Sequence, residues 1–299
     1  MSTMIKHCKT LFNNFYNISK LVYKSKSTES ASFHSRRQLK QSLVYWCFEP
    51  YFDVPTMIKI AKQLGFDSIE LIDPKYFHLL KEVDLKCAMC PIHLGDEIPP
   101  FLRGFNNRKH HKQVIEATKN AIDAAAAYQF KRVITFTGMS NGISNDVAAT
   151  NCVDGYKKVI NYAEKKNVTL CLEMLNTRVS DHPMKGHPGY TGNNTQYCID
   201  IIKRVGSENL KLLFDIYHVQ IMEGDLVRRI HQYKDFISHV HTAGNPGRGE
   251  LDDNQEINYR KMMKTLFDIG YDGYVGHEFI PTREPIEGLK EAMALCHIV

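Results

Sequence analysis

No apolar run in the sequence reaches the roughly 18–20 residues that a membrane-spanning helix needs. Acidic residues are almost missing from the first 42 positions, where eight Lys or Arg stand against Glu29 alone. The rest of the chain holds 30 basic and 32 acidic residues, so the net charge of +5 comes from the N-terminal end. The body therefore lacks the basic excess of a nucleic-acid-binding surface. Cysteine is too sparse, at eight in 299 residues, for a disulfide scaffold. Several cysteines sit inside apolar runs such as TLCLEML and read as buried thiols. Cys87 and Cys90 form a single CxxC without the second pair of a structural zinc site, and packing is the simpler role for them. Missing too, after SLVYWCFEPYFD, is the glycine-rich phosphate fingerprint of a doubly wound dinucleotide-binding sheet.

What is present fits a globular chain with a substantial core: 43% hydrophobic and 24% charged residues. Two parts are expected. Residues 1–41 form a basic extension in which Leu11, Phe12, Phe15, Ile18 and Val22 can share one helical face. That pattern suits an organelle transit segment, and equally a disordered extension. The protein is accordingly placed in the cytoplasm, with a mitochondrion or another organelle as the alternative. Residues 42–299 alternate short apolar runs with helical signals. The strand candidates are 42–48, 68–73, 86–92, 132–138, 169–175, 210–218, 237–244 and 274–281. Pro55 suits a helix start after the first run, and Gly65 its end. Eight strand–helix units in this length predict a single-domain α/β fold, the closed (β/α)8 TIM barrel.

Such barrels carry their chemistry at the C-terminal ends of the strands. There the last four runs turn ionisable: Glu173, Asp215 with His218, His239 with His241, and Glu278. One buried ionisable group is costly unless paired or bound to a metal, and four at one level need a joint explanation. An oxygen-rich set with one imidazole suits Mg²⁺ or Mn²⁺, with Co²⁺ or Zn²⁺ as alternatives. Internal salt bridges are the competing explanation, but these four strands carry no buried Lys or Arg to form them. Alternation puts His239 and His241 on one face, and His241 stands nearer the catalytic rim. Glu70 and His93 end the second and third runs, as pocket lining or as structure. The long segment RVSDHPMKGHPGYTGNN (178–194) is either a plain loop or, across 180–194, a lid.

LCLEMLN, HPGYTGNNTQYCIDIIKRVGSENLKLLFDIYHVQIMEGD, HVHTAGNPGRGE, EINY and GYDGYVGHEFIPT together resemble hydroxypyruvate isomerases of the xylose-isomerase-like TIM-barrel superfamily. The resemblance spans residues 42–285 and is strongest in the second half. It implies that Glu173, Asp215, His241 and Glu278 bind a divalent metal, and that Glu173 and Glu278 are the acid/base pair. It also implies substrate contacts by His218 and Arg248, with Glu250 nearby. Gly244 stands where related isomerases have Asp. The expected reaction interconverts hydroxypyruvate and 2-hydroxy-3-oxopropanoate by proton transfer through an enediolate, with the metal stabilising the charge. A ketose 3-epimerase or another sugar isomerase could use the same site. An abasic-site nuclease would need more ligands and a basic face, and an inactive barrel would not need all four ligands. The expected partner is a small hydroxy-carbonyl substrate, with neither nucleic acid nor membrane; a homo-oligomer is left open.

Overall fold

The computed structural model describes residues 38–95, 98–181 and 184–297. Nearly all of the N-terminal extension lies outside them, so its expected targeting role is not addressed by the structure. Seven parallel strands run β1 (Lys40–Val44), β2 (Ser68–Glu70), β3 (Arg132–Thr135), β4 (Thr169–Glu173), β5 (Leu210–Asp215), β6 (Ile237–Thr242) and β7 (Tyr274–His277). Their order is β2-β1-β7-β6-β5-β4-β3. The third apolar run closes the ring between β2 and β3, though not as a regular strand. It makes single bridges from Lys86 to Ser68 and from Cys90 to Val133. The reason is local: the Ser68 hydroxyl accepts the Ala88 amide at 2.8 Å, and Pro91 has no amide to give. Backbone bonds from Leu71 to Met89 and from Cys90 to Arg132 still join the two sides. The TIM barrel is thus the observed fold.

Helices pack outside the strands. The first, α1 (Val54–Leu64), is capped by Asp53, whose carboxylate accepts from Thr56 at 2.8 Å. Pro55 sits in its first turn, and Gly65 ends it at φ 85°, as expected from the sequence. Chain alternation sorts the strand residues. Leu170, Leu172, Leu212, Phe214, Val240 and Val275 are all fully buried, the apolar faces between barrel and helices. The intervening positions are in register around the ring: Asp215 beside His241, and His241 beside Gly276. That alternation delivers the polar side chains to one interior space. No helix among the described residues is long and apolar enough to cross a membrane.

Candidate metal and active site

Glu173 is the last residue of β4 and Asp215 the last of β5; His241 is next to last in β6, and Glu278 follows β7 directly. All four are buried, none more than 4% exposed. One ligand atom from each lies within 4.8 Å of the others. Ligands on a single divalent ion sit about 2.0–2.6 Å from it, so opposed pairs stand about 4–5 Å apart. The cluster therefore fits one ion. Its bonding supports that fit. Glu173 Oε1 and Asp215 Oδ2 are buried without a hydrogen-bond partner, an expensive state for polar atoms. Asp215 is aimed by its own chain: Oδ1 accepts the His218 amide at 3.1 Å, capping the short helix Ile216–Met222, and Oδ2 is left facing the cluster.

A buried cation does reach the cluster, from a loop and not from a strand. Arg248 follows β6 in left-handed backbone conformation (φ 57°) and is 2% exposed. Its Nη2 donates to Glu278 Oε2 at 2.6 Å and stands 3.7 Å from Asp215 Oδ2. The guanidinium lies between the rings of Trp46 and Tyr217, 5.3 and 5.5 Å from their centroids. Trp46 Nε1 donates to the other oxygen of Glu278 at 2.7 Å. Burial pushes the Glu278 carboxyl up, but His241 and Arg248 outweigh it and hold the group well below the usual range. Glu173 is raised, by burial first and by Glu278. Asp215 is pushed up to about 7 by burial, with Glu278 and Glu173 adding to it and Arg248 opposing. Burial opposes the charge on His241, yet the carboxylates around it raise its pKa well above the ordinary value. The four groups thus form one electrostatic unit with more negative than positive charge.

His218 is fully buried against the same space. Its Nδ1 accepts the Asn176 amide at 3.1 Å, so the ring hydrogen is on Nε2, which points toward Asp215 Oδ2 at 3.7 Å and has no partner. Part of the long segment after β4 covers this region. Asn176 and Tyr217 each donate to the Lys185 carbonyl at 2.8 Å, and Arg248 donates to that of Met184. The His187 ring lies tilted against Phe101, centroids 4.3 Å apart, and 5.8 Å from His218. The segment is tied down over the strand ends; His182 and Pro183 lie outside the described residues.

The remaining expected residues sit apart from these contacts. Glu250 accepts from the Thr282 amide at 2.9 Å, the Thr282 hydroxyl at 2.7 Å and the Arg283 amide at 3.3 Å. Both of its oxygens thus brace the loop after β7. Gly244 answers to backbone packing: a Cβ there would lie 2.2 Å from the Glu250 carbonyl oxygen. Glu70 is more central than its place in the sequence announced. It is fully buried, 2.7 Å from His239 Nε2 and 3.6 Å from His241 Nε2. Burial raises its carboxyl, but the two imidazoles outweigh that and hold it at about 2. Trp46, the sole tryptophan, was the residue missed. An aromatic at the end of an apolar run carries no sign that its indole bonds a carboxylate across the barrel.

The family model described as xylose isomerase-like TIM barrel matches residues 58–297. The chain belongs to that family. A hydroxypyruvate isomerase of Escherichia coli is 32% identical over 80% of this chain and 92% of its own. A relative from Xenopus laevis, provisionally given the same name, is 38% identical over 82% of this chain and 91% of its own. These relatives make the chain an isomerase. Among solved structures, an AP endonuclease of family 2 from Brucella melitensis superposes with a TM-score of 0.76 at 24% identity, covering 86% of this chain and 98% of that one. That likeness is one of fold.

Proposed function

We propose that the protein is a divalent-metal-dependent isomerase that interconverts hydroxypyruvate and 2-hydroxy-3-oxopropanoate. One observation carries the reading: Glu173, Asp215, His241 and Glu278 bring a ligand atom each within 4.8 Å, with unpartnered atoms facing inward. Mg²⁺ or Mn²⁺ suits the three carboxylates and one imidazole best, with Co²⁺ or Zn²⁺ as alternatives. Bound there, the ion would polarise the substrate's carbonyl and stabilise the negative charge that develops on its oxygens.

The chain's own residues supply the rest. The reaction moves a proton from C3 to C2 of the substrate, and a hydroxyl proton from the C3 oxygen to the C2 oxygen. Glu173 and Glu278 enter the site from β4 and β7, which are separated by β5 and β6, so they approach it from different walls. One takes the C3 proton, and the other serves the C2 side. Glu278 is held ionised by His241 and Arg248, so it enters the reaction as a carboxylate. Glu173, raised by burial and by Glu278, is suited to return a proton. Arg248 Nε and the His218 Nε2 hydrogen, both buried without a partner, are left for substrate oxygens. Burial of the whole cluster excludes water from the charged intermediate.

The test is a substrate panel with metal-loaded and chelated enzyme. Hydroxypyruvate should be converted in preference to ketoses such as fructose and tagatose, and only by loaded enzyme. Preferred turnover of a ketose would replace this reading with that of a sugar epimerase.

A further inference from the structure

We propose that Glu70 is a positioning residue for the metal site: its carboxylate orients the His241 ring so that Nδ1 faces Glu173, Asp215 and Glu278. The inference rests on the reading that those residues hold a divalent ion. His241 presents its two nitrogens to two different groups. Nδ1 lies 3.0 Å from Glu278 Oε2 and 3.7 Å from Glu173 Oε1. Nε2 faces the opposite way, 3.6 Å from Glu70 Oε2. An imidazole that binds a cation through one nitrogen keeps its hydrogen on the other. Glu70 is the carboxylate within 4 Å of that second nitrogen among the described residues. A contraction of roughly 0.6 Å makes the contact a hydrogen bond. Carboxylates behind ligating histidines fix the tautomer and raise the ligand's basicity.

The backbone makes room for this arrangement. A Cβ on Gly276 of β7 would lie 2.0 Å from Glu70 Oε1 and 2.8 Å from His241 Cδ2. Glycine at that point lets the carboxylate reach across from β2.

The same residues suggest a competing use, since Glu70, His239 and His241 could together hold an ion of their own. Distance decides against it. Two ligands on one tetrahedral zinc stand roughly 3.3 Å apart, given bonds of about 2.0–2.1 Å. His239 Nε2 and Glu70 Oε2 are 2.7 Å apart, the range of a charge-assisted contact. Glu70 is thus held on one side by His239 and faces His241 on the other.

The experiment uses full-length protein stripped of metal and titrated with Mn²⁺, following free Mn²⁺ by electron paramagnetic resonance. Thermal melting of the metal-free protein is recorded alongside. Wild type should bind one Mn²⁺, and Glu70→Gln should bind it about 10–100-fold more weakly. A purely structural Glu70 would lower the melting temperature and leave the affinity of the folded protein unchanged, and that result overturns the inference. Glu70→Asp keeps the charge but withdraws it from His241. If Glu70→Gln does not fold, the same comparison is made on Glu70→Asp, where weakened binding supports the inference and unchanged binding overturns it. Failure of wild type to bind Mn²⁺ removes the metal reading itself, and the positioning role with it.

Discussion

Arg248→Met isolates the electrostatic balance of the site, because it removes the guanidinium and keeps much of the apolar stem. Arg248 is 2% exposed and contacts Glu278 at 2.6 Å and Asp215 at 3.7 Å. Removing one partner of such a buried pair costs about 3–5 kcal/mol, because the other charge is left uncompensated. In a domain of this size that is about 6–10 °C of melting temperature, at roughly 2 °C per kcal/mol. The loss should depend on pH, and its sign follows from Asp215. Its carboxyl rises on folding, to about 7. Protonation of the native state therefore favours folding at low pH, and that advantage is lost as pH rises through about 7. Arg248 opposes the rise, so without it Asp215 and its neighbours depend still more on protons. The variant should be hurt more at pH 8 than at pH 6. A saturating divalent ion, at about 100 times its dissociation constant, should return about 2.7 kcal/mol. The assay is thermal unfolding at both pH values, with chelator and with Mn²⁺. Wild-type melting of Arg248→Met in chelator at pH 8 would refute the reasoning.

Two further substitutions probe the site and its rim. Glu173→Gln and Glu278→Gln keep the shape and one oxygen ligand but remove the base, so each should lower turnover about 10²-fold or more while the protein still binds metal; near-normal turnover in either would remove that residue from proton transfer. Gly244→Asp would put a side chain where its Cβ lies 2.2 Å from the Glu250 carbonyl oxygen. The exchange should therefore destabilise the protein measurably in a denaturant titration, and a stability equal to wild type would show that the loop gives way freely.

The alternation of buried strands and capped helices made the barrel legible in the sequence, because period and punctuation are local. The third strand was the exception, since its Ala88 amide is taken by Ser68, a side chain twenty residues away. Glu173, Asp215, His241 and Glu278 were legible for a different reason. Ionisable residues at the ends of apolar runs are costly, so they attract notice one at a time. Arg248 was visible only through the family resemblance, because a loop arginine is ordinary until the fold buries it. Trp46 and Glu70 were less legible still. Their meaning comes from partners 232 and roughly 170 positions away, Glu278 and His239, and no spacing rule connects such pairs.

The central claim is metal-dependent isomerisation at this cluster, and one measurement addresses it directly. Hydroxypyruvate labelled with ¹³C at its hydroxymethyl carbon is incubated with stripped enzyme, then with the same enzyme reloaded with Mg²⁺, and followed by nuclear magnetic resonance. The account predicts that the hydroxymethyl signal gives way to that of an aldehyde or its hydrate only after reloading, and that Glu278→Gln slows the change. Equal conversion by the stripped enzyme, or an unchanged signal with the loaded one, would contradict it.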